Sequence, residues 1–467
     1  MTIQINSCLL KVIGVFSFDT RKDYKRFINA GFDTMRVVDL PTGYSDKSRS
    51  IEETKKFYKD TYYSEFRELM FTSNQKSDRE GLQQKSIIKL FRYKTLNSKF
   101  ITKKFDEQSK NLLEFHLPYE INTQELFLFP DGVGIFSISF NLKDQDLEYA
   151  SDLINQARSF YSKIETNSNF NISFHQWISE EILCGIELVG ENLKVDEYSG
   201  SKFKIYSVFD LPNLKDSYNR DHLLYEIGTS SPIGTVSNNS RLKPTKEYFD
   251  ELMKNKLGVF ENYEGLALLD SFTVIGYENY AGLDNSKYGH IPHHQWNRAY
   301  FSIYIFNLYV RYNLFKFNAE FLSNPVKYRS KFQMFLNHYN FTHISFNFLP
   351  NIIFKKMREA MGIEFEIEKF EKRLVNLASS IQENQEKRQA FLLTLISVLS
   401  GWEASSHLLD QANSIKTWLG WTNFTFYFAL FLLIASLAVI LMEYLFPIHA
   451  QKFRKKTLRL WKKLLKK

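Results

Sequence analysis

Cysteine is scarce in this chain of 467 residues, and the N-terminus lacks the features of a secretory leader. The two cysteines, Cys8 and Cys184, lie far apart and show no CxxC spacing, which argues against a disulfide scaffold and a thiolate zinc site. The opening residues, MTIQINSCLL, have no basic region and no long apolar stretch, so we expect no cleaved signal peptide. Both absences favour a reducing compartment for the bulk of the chain.

Motifs of common enzyme classes are also missing. The sequence contains no GxSxG, no HExxH and no P-loop, and Gly132-x-Gly134 lacks the third glycine of a dinucleotide fingerprint. The histidines of HIPHHQW, at 290–296, have no carboxylate beside them, and the proline among them favours a turn over a metal site. We therefore predict no catalytic residue and no metal site, and a protein that is not an enzyme.

An excess charge of one sign is missing from most of the chain. The formal net charge is +8, but nine of the 60 Lys and Arg residues fall in the last 17 residues, QKFRKKTLRLWKKLLKK, which contain no acid. The rest of the chain has 51 basic against 52 acidic residues. This neutral body argues against direct nucleic-acid binding, whereas the tail favours an amphipathic helix on a bilayer with anionic headgroups.

The one long apolar run lies near the C-terminus. Residues 423–446, NFTFYFALFLLIASLAVILMEYLF, carry a single charge, Glu443, and are long enough for a hydrocarbon core of about 30 Å; the alternative is a buried core helix. The more polar segment 391–409 precedes this run and predicts a two-span hairpin, the alternative being one span with an interfacial helix. The positive-inside rule then places the basic tail and the large N-terminal body in the cytoplasm.

The N-terminal half alternates short apolar runs with turn signals. Residues 126–140, LFLFPDGVGIFSISF, have two β-rich halves around Pro130-Asp131-Gly132. A helix-like stretch follows at 147–161, and a further strand is expected at 203–209. This pattern predicts an α/β cytosolic N-terminal domain over 1–243.

From about residue 244 the sequence indicates a helical cytosolic layer, which we place at 244–362. The aromatic segment 298–322 is hydrophobic enough to resemble a membrane span. However, a central charge such as Arg311 or Lys316 costs about 2.5–3.5 kcal/mol on insertion scales. We therefore interpret this segment as a buried core helix of the body.

A stalk helix is predicted at 363–390. Apolar residues recur there at the three- and four-residue spacing of a packed seam, at Ile367, Phe370, Leu374, Leu377 and Ile381. Neither Gly nor Pro interrupts the stretch before Ser400, which predicts one helix continuing into the first span; the alternative is a surface helix of a coiled-coil dimer. The remaining segments are the transmembrane hairpin at 391–447 and the basic cytoplasmic tail at 448–467.

Small and polar residues are concentrated at 218–235, YNRDHLLYEIGTSSPIGT. A short helix would end there near Ile227, with Gly228 available as its cap. Arginine suits a phosphate, aspartate a ribose hydroxyl or an amine, and tyrosine can stack on adenine. The candidate ligand-binding residues are Arg220, Asp221, Tyr225, Thr229, Ser230, Ser231, Gly234 and Thr235, with Arg158 as a second phosphate candidate. The alternative is a surface loop after a capped helix.

Hydroxyl side chains follow one another along the first predicted span. Thr394, Ser397 and Ser400 recur every three residues and so fall on one face of a helix, where they are candidates to line a pore. Glu403, near the outer mouth, would form a ring of carboxylates in a symmetric oligomer. The alternative is that the hydroxyls pack against the second span.

Taken together, these stretches resemble the CorA-type divalent-cation channels over residues 120–467. The strand pair LFLFPDGVGIFSISF with its following helix looks like the N-terminal sheet of that family. The segment 268–272 and the helix around 304–321 with Arg311 look like its helical layer, and the stalk, hairpin and lysine-rich end look like its pore module. The resemblance implies a homo-oligomer, a pentamer as in relatives, with Mg²⁺ as a possible cargo.

The chain departs from the family in one respect, because it lacks the family's Gly-Met-Asn tripeptide. The corresponding region here runs from Gly401-Trp402-Glu403 to Trp418-Leu419-Gly420. The chain is similar in this loss, and in its large body, to a CorA-like branch encoded beside type III CRISPR systems. That likeness implies a membrane effector in a prokaryotic plasma membrane, gated by a nucleotide second messenger, S-adenosylmethionine-AMP. Membrane permeabilisation would then arrest growth or kill the cell. The alternatives are a magnesium or other divalent-cation transporter and a membrane-anchored scaffold.

Overall fold

The computed structural model divides into two compact units, Met1–Lys369 and Phe370–Lys467. The residues that the structure describes are 3–19, 22–34, 51–71, 87–106, 111–142, 145–166, 171–186, 188, 202–211, 219–237, 242–277, 295–321 and 325–404. The described part of the second unit belongs to a single helix.

Within these ranges, eleven strands form one mixed sheet. The strands are β1 Ser7–Ser17, β2 Asp33–Thr34, β3 Ile88–Asp106, β4 Asn111–Leu128, β5 Val133–Leu142, β6 Lys163–Glu165, β7 Ile172–Ser173, β8 Lys204–Leu211, β9 Lys256–Phe260, β10 Tyr263–Ala267 and β11 Ser271–Tyr277. Their order along the sheet is β7-β6-β3-β4-β5-β1-β8-β11-β10-β9, with β2 paired to β3. Strands β8 and β11 run parallel, and the other pairs are antiparallel.

Helices separate and follow these strands along the chain. They are α1 Lys22–Asn29, α2 Ile51–Thr61, α3 Ser64–Phe71, α4 Leu147–Arg158, α5 Phe174–Trp177, α6 Arg220–Thr229, α7 Lys246–Met253, α8 Phe301–Glu320, α9 Pro325–Tyr339, α10 Phe348–Ala360 and α11 Ile363–Ala404. A π-helical turn at Ile178–Ile182 continues α5, and another at Trp296–Tyr300 leads into α8.

Both faces of the central strands are buried. On β8, Ile205 and Phe209 join Leu153 of α4 in the main hydrophobic core. Tyr206 points to the opposite face, where its ring centroid lies 5.0 Å from that of Phe301 in α8. Because successive side chains of a strand alternate between faces, a sheet covered on both sides requires apolar residues at nearly every position.

The hairpin predicted around Pro130-Asp131-Gly132 is confirmed, because β4 and β5 pair across this turn. Gly132 has a φ of 82°, in the left-handed region that glycine tolerates best. Its N–H donates to the carbonyl of Phe129 at 3.1 Å, and the N–H of Phe129 donates to Val133 at 2.9 Å. The helix predicted at 147–161 and the strand predicted at 203–209 are also present, as α4 and β8.

The aromatic segment 298–322 is confirmed as a buried helix of the first unit. It forms α8, and the Tyr309 ring stacks on Phe129 with centroids 3.7 Å apart and planes 3° from parallel. The guanidinium of Arg311 lies outside the core, where Nη1 donates to the carbonyl of Leu269 at 2.9 Å. Packing against the sheet therefore accounts for the run of apolar residues in this segment.

The helical layer expected over 244–362 differs from the structure at its start. After α7, residues 256–277 form β9, β10 and β11, which extend the main sheet beyond β8. All seven residues of β11 are buried, since this strand gives β8 a second hydrogen-bonding neighbour and is covered on both faces. Among the residues described after β11, the helical part starts with the π-helical turn Trp296–Tyr300.

The helix predicted at 363–390 is present and continues to Ala404 as α11, and its role as a stalk stays a prediction. In the stretches described up to Ala404, no helix combines the length and apolar composition that a membrane crossing requires. Residues 405–409 of the predicted first span, the predicted second span 423–446 and the basic tail 448–467 lie outside the described residues. The histidine segment 290–294 lies outside them as well.

Candidate ligand-binding site

The predicted ligand segment folds as α6 and the loop after it. The side chain of Asn219 caps the helix by accepting from the N–H of Asp221 at 2.9 Å. The helix passes through Gly228, which the sequence suggested as a cap, and ends at Ser230 with a φ of 58°. A Cβ on Gly228 would meet Leu266 at 2.9 Å, so glycine serves helix–strand packing here.

A buried carboxylate organises the loop after α6. Glu226, which is 2% exposed, accepts from the N–H of Gly234 at 2.8 Å and from the N–H of Val236 at 2.7 Å. Backbone N–H groups at a turn are the donors that a bound phosphate would need. In this loop the protein's own carboxylate already occupies two of them.

The hydroxyls of the loop are also engaged locally. Thr229 donates from Oγ1 to the carbonyl of Tyr225 at 2.8 Å, and the same oxygen lies 2.8 Å from Oγ of Ser231. Thr235 donates to the carbonyl of Pro232 at 2.5 Å. Such side-chain bonds to nearby backbone are how Ser and Thr stabilise turns, so these hydroxyls hold the loop rather than face a ligand.

Arg158 ties α4 to the end of α6. Its Nη1 donates to the carbonyl of Thr229 at 2.9 Å, and its Nη2 lies 3.4 Å from Oδ2 of Asp270, which also pairs with Lys204. Burial alone would raise the pKa of Asp270, but the charges of Lys204 and Arg158 outweigh it and lower that pKa. Arg158 therefore acts as a tertiary clamp in this structure.

Arg220 and Asp221 lie at the other end of α6. The Arg220 guanidinium stands 4.2 Å from the centre of the Tyr277 ring. Asp221 pairs with Lys256 at 2.5 Å, and Lys256 also contacts Glu264 at 2.8 Å. At about 1.5 Å per residue, the helix separates this cluster from the hydroxyl loop by roughly 13 Å.

Tyr225, the proposed adenine platform, is packed inside the protein. It is buried, and its ring centroid lies 5.2 Å from that of Phe249. The nine candidate residues thus fall into separate groups at the two ends and the middle of α6. Most have internal partners, whereas the buried Oγ of Ser230 has no hydrogen-bond partner within the described residues. Their role in ligand binding stays a prediction.

The pore candidates occupy consecutive turns of α11. Thr394 is exposed and donates from Oγ1 to the carbonyl of Ala390 at 2.8 Å. Ser397, Ser400 and Glu403 follow in the same helix. Their place along one helix agrees with the predicted spacing, and their role in a pore stays a prediction.

A cavity of about 620 Å³ lies elsewhere in the first unit. It is lined by the segment between α9 and α10, by α10 itself and by the first turn of α11. Its volume falls within the range of about 300–1,000 Å³ that is usual for small-molecule sites. The polar residues that face it include Asn340, Asn351, Arg358 and Glu364.

Arg358 is the principal polar group of this cavity. It is 4% exposed, and its guanidinium lies 5.3 Å from the centre of the Phe354 ring. Nε donates to Oε1 of Glu364 at 2.7 Å, and Nη2 donates to Oδ1 of Asn340 at 2.8 Å. Within the described residues, the third nitrogen, Nη1, has no hydrogen-bond partner.

The loop before α10 is fixed by Asn351, which lies two turns before Arg358 in α10. Its Oδ1 accepts from the N–H of Ile344 at 3.0 Å and of Ser345 at 3.1 Å, while its Nδ2 donates to the carbonyl of Ser345 at 2.7 Å. Ser345 in turn donates to the carbonyl of Thr61 at 2.6 Å. The loop is therefore held in place by both α10 and α2, which makes the cavity a preformed one.

No sequence signal pointed to this cavity. Asn340 and Arg358 are 18 positions apart and meet only because α10 folds back on the preceding loop. Comparisons with protein-family models, with curated proteins and with solved structures each found no match.

Proposed function

We propose that this chain is a membrane effector whose cytoplasmic body binds a small ligand and passes the binding event to the membrane through α11. One observation carries the proposal. Glu364, in the first turn of α11, is bonded to Arg358 in the wall of the cavity, and the same helix continues unbroken to Ala404. A ligand in this cavity would thus act directly on the start of the helix.

The sequence supports the membrane half of the proposal. After α11 the chain contains the apolar run 423–446 and then a tail with nine Lys and Arg and no acid. Such a run suits a bilayer of about 30 Å, and such a tail suits an anionic surface. We propose a CorA-like homo-oligomer in a prokaryotic plasma membrane, in which Thr394 and Ser397 belong to the conducting face.

The energetics of gating set a requirement on the ligand. A ligand shifts an equilibrium between closed and open arrangements only by its difference in affinity for the two. A change from 1:99 to 99:1 needs a difference of about 10⁴-fold, or roughly 5.5 kcal/mol. An oligomer eases this requirement, because each subunit contributes its own cavity. A nucleotide second messenger such as S-adenosylmethionine-AMP is the first ligand to test.

The test is dye leakage from liposomes that contain the purified full-length protein and anionic lipid. Leakage that requires the S-adenosylmethionine-AMP conjugate is the expected result. Magnesium flux without the conjugate would instead support a divalent-cation transporter. Binding of the protein to the vesicles with no flux under any condition would support a membrane-anchored scaffold.

A further inference from the structure

The Arg358 guanidinium is a buried cation with spare hydrogen-bonding capacity. It carries five N–H donors on three nitrogens. Nε and Nη2 have hydrogen-bond partners, and Nη1 has none within the described part of the chain. A buried charged donor without a partner is costly and calls for a specific explanation. Arg358 lines the cavity of about 620 Å³, which is large enough to admit an anionic partner for the guanidinium.

The two side chains of the Arg358–Glu364 pair differ in exposure to solvent, and this difference suggests how the site works. In the Arg358–Glu364 pair the arginine side chain is 5% exposed, whereas that of Glu364 is 63% exposed. The carboxylate can therefore turn into water at little cost, because it is already largely hydrated. The guanidinium cannot, so it keeps a requirement for a negative partner at this place.

We propose that the cavity binds the anionic group of a small organic ligand, a phosphoryl or carboxylate group, against the guanidinium of Arg358 in exchange for Glu364. A guanidinium offers paired, parallel donors that match the oxygens of such groups. Phe354 and the neighbouring Phe341 and Ile352 form an apolar part of the lining, which suits an uncharged ring in the same ligand. The proposal rests on the proposed function only for its effect at the membrane.

The exchange would loosen one end of α11. Glu364 and Glu366 both lie in its first turn, and they are held by different residues: Arg358 bonds Glu364 at 2.7 Å and Asn318 bonds Glu366 at 2.7 Å. An incoming anion at Arg358 releases the first of these bonds and leaves the second in place. The start of α11 thus reports occupancy of the cavity.

The experiment measures binding of AMP, adenosine and inorganic phosphate to the full-length protein in detergent by isothermal titration calorimetry. AMP is expected to bind saturably, about ten- to a hundredfold more tightly than adenosine, because only AMP forms the charge-assisted bond. Inorganic phosphate should compete with AMP. Equal affinity for AMP and adenosine, or no binding of AMP and phosphate, would overturn the proposal.

Three substitutions locate the site. Arg358→Met should abolish AMP binding, and Glu364→Gln should tighten it several-fold by removing the competing carboxylate. Glu366→Gln is the matched control, a change of the same chemistry in the same turn, and should leave AMP affinity unchanged. If Arg358→Met fails to fold, Glu364→Gln decides: unchanged affinity there counts against the proposal. Loss of binding in Arg220→Met, with Arg358→Met unaffected, would place the ligand at α6 and overturn it.

Hydrogen exchange provides the readout for α11. With AMP bound, amides in the first two turns of α11 should exchange faster in the wild-type protein, and Glu364→Gln should show that faster exchange without AMP. Liposome leakage in the presence of the S-adenosylmethionine-AMP conjugate is then measured separately. AMP binding that depends on Arg358 without any leakage refutes the proposed function alone, whereas leakage that is insensitive to Arg358→Met refutes the cavity as the site.

Discussion

Lys11 of β1 and Glu125 of β4 form an ion pair across the intervening strand β5. Their side chains are 2% and 9% exposed, and Nζ of Lys11 also lies 4.1 Å from the centre of the Phe301 ring. Burial lowers the pKa of Lys11, while the charge and hydrogen bond of Glu125 oppose that shift. The pair thus links the sheet to α8 in a region from which water is excluded.

Removal of one member of this pair should be costly. Lys11→Met leaves the Glu125 carboxylate buried without its cation, and we expect the free energy of unfolding to fall by about 3–5 kcal/mol. The double variant Lys11→Met/Glu125→Leu should recover most of this loss, since apolar residues of similar volume can replace a buried pair. Urea unfolding of the four proteins in a double-mutant cycle measures both effects. A double variant no more stable than Lys11→Met would contradict this account.

Lys89 should make stability depend on pH. Its Nζ donates to the carbonyl of Met70 and lies 5.3 Å from the centre of the Phe71 ring. Burial lowers the pKa of Lys89 to about 7, against the opposing charge of Glu125. Between about pH 7 and the ordinary lysine value near 10.4, the unfolded chain holds a proton that the folded protein lacks, so stability rises with pH.

The measurement for Lys89 is the free energy of unfolding from pH 5.5 to 9.5, compared with Lys89→Met. The wild type should gain on the variant as pH rises through this window, by at most about 1.4 kcal/mol per pH unit. Below about pH 6 the difference should be constant, because Lys89 is then protonated in both states. A constant difference over the whole range would show that the ammonium is freely hydrated.

Glu226 should be a stability determinant of the α6 loop. Glu226→Ala strands the N–H groups of Gly234 and Val236, and we expect a loss of about 2–6 kcal/mol at roughly 1–3 kcal/mol per donor. Glu247→Gln, an exposed change in α7, is the control and should have little effect. Thermal unfolding followed by circular dichroism is sufficient. A loss below 0.5 kcal/mol, on the order of a surface substitution, would mean that the loop rearranges and could open to a ligand.

The basic tail should govern attachment to anionic lipid. Replacement of Lys462, Lys463, Lys466 and Lys467 by Gln removes four charges, and each is worth about 1 kcal/mol near an anionic surface. Vesicle co-sedimentation should show weaker and less salt-dependent binding to anionic vesicles, with binding to neutral vesicles unchanged. Equal losses on both vesicle types would point to a structural role for the tail instead.

Local signals in the sequence were sufficient for some elements of the fold. The Pro130-Asp131-Gly132 turn between two apolar runs predicted the hairpin, and the charges of Arg311 and Lys316 indicated that the aromatic helix belongs in the body. The strands at 256–277 were not predicted, because they are short and their burial depends on β8, a distant part of the chain. The pairing of β11 with β8 therefore determines that this segment forms strands.

The candidate site was harder to predict for a related reason. Hydroxyls and glycines suggest a ligand loop, but Thr229 and Thr235 use their hydroxyls for their own turns. The cavity depends on Arg358, a residue of ordinary helical character in sequence, which gains its role from contacts with Asn340 and Glu364. Sequence spacing carries no information on such contacts.

The order of strands has a consequence for biosynthesis. β1, the first of the described strands along the chain, lies between β5 and β8, and β8 acquires its parallel neighbour only with β11 at Ser271–Tyr277. Nascent chains shorter than this leave a central strand with an open edge, which invites pairing with another chain. The apolar run 423–446 emerges from the ribosome far later. In the proposed membrane effector the sheet can therefore close before this run engages the membrane, so we expect a chaperone to act earlier in translation than a membrane insertase.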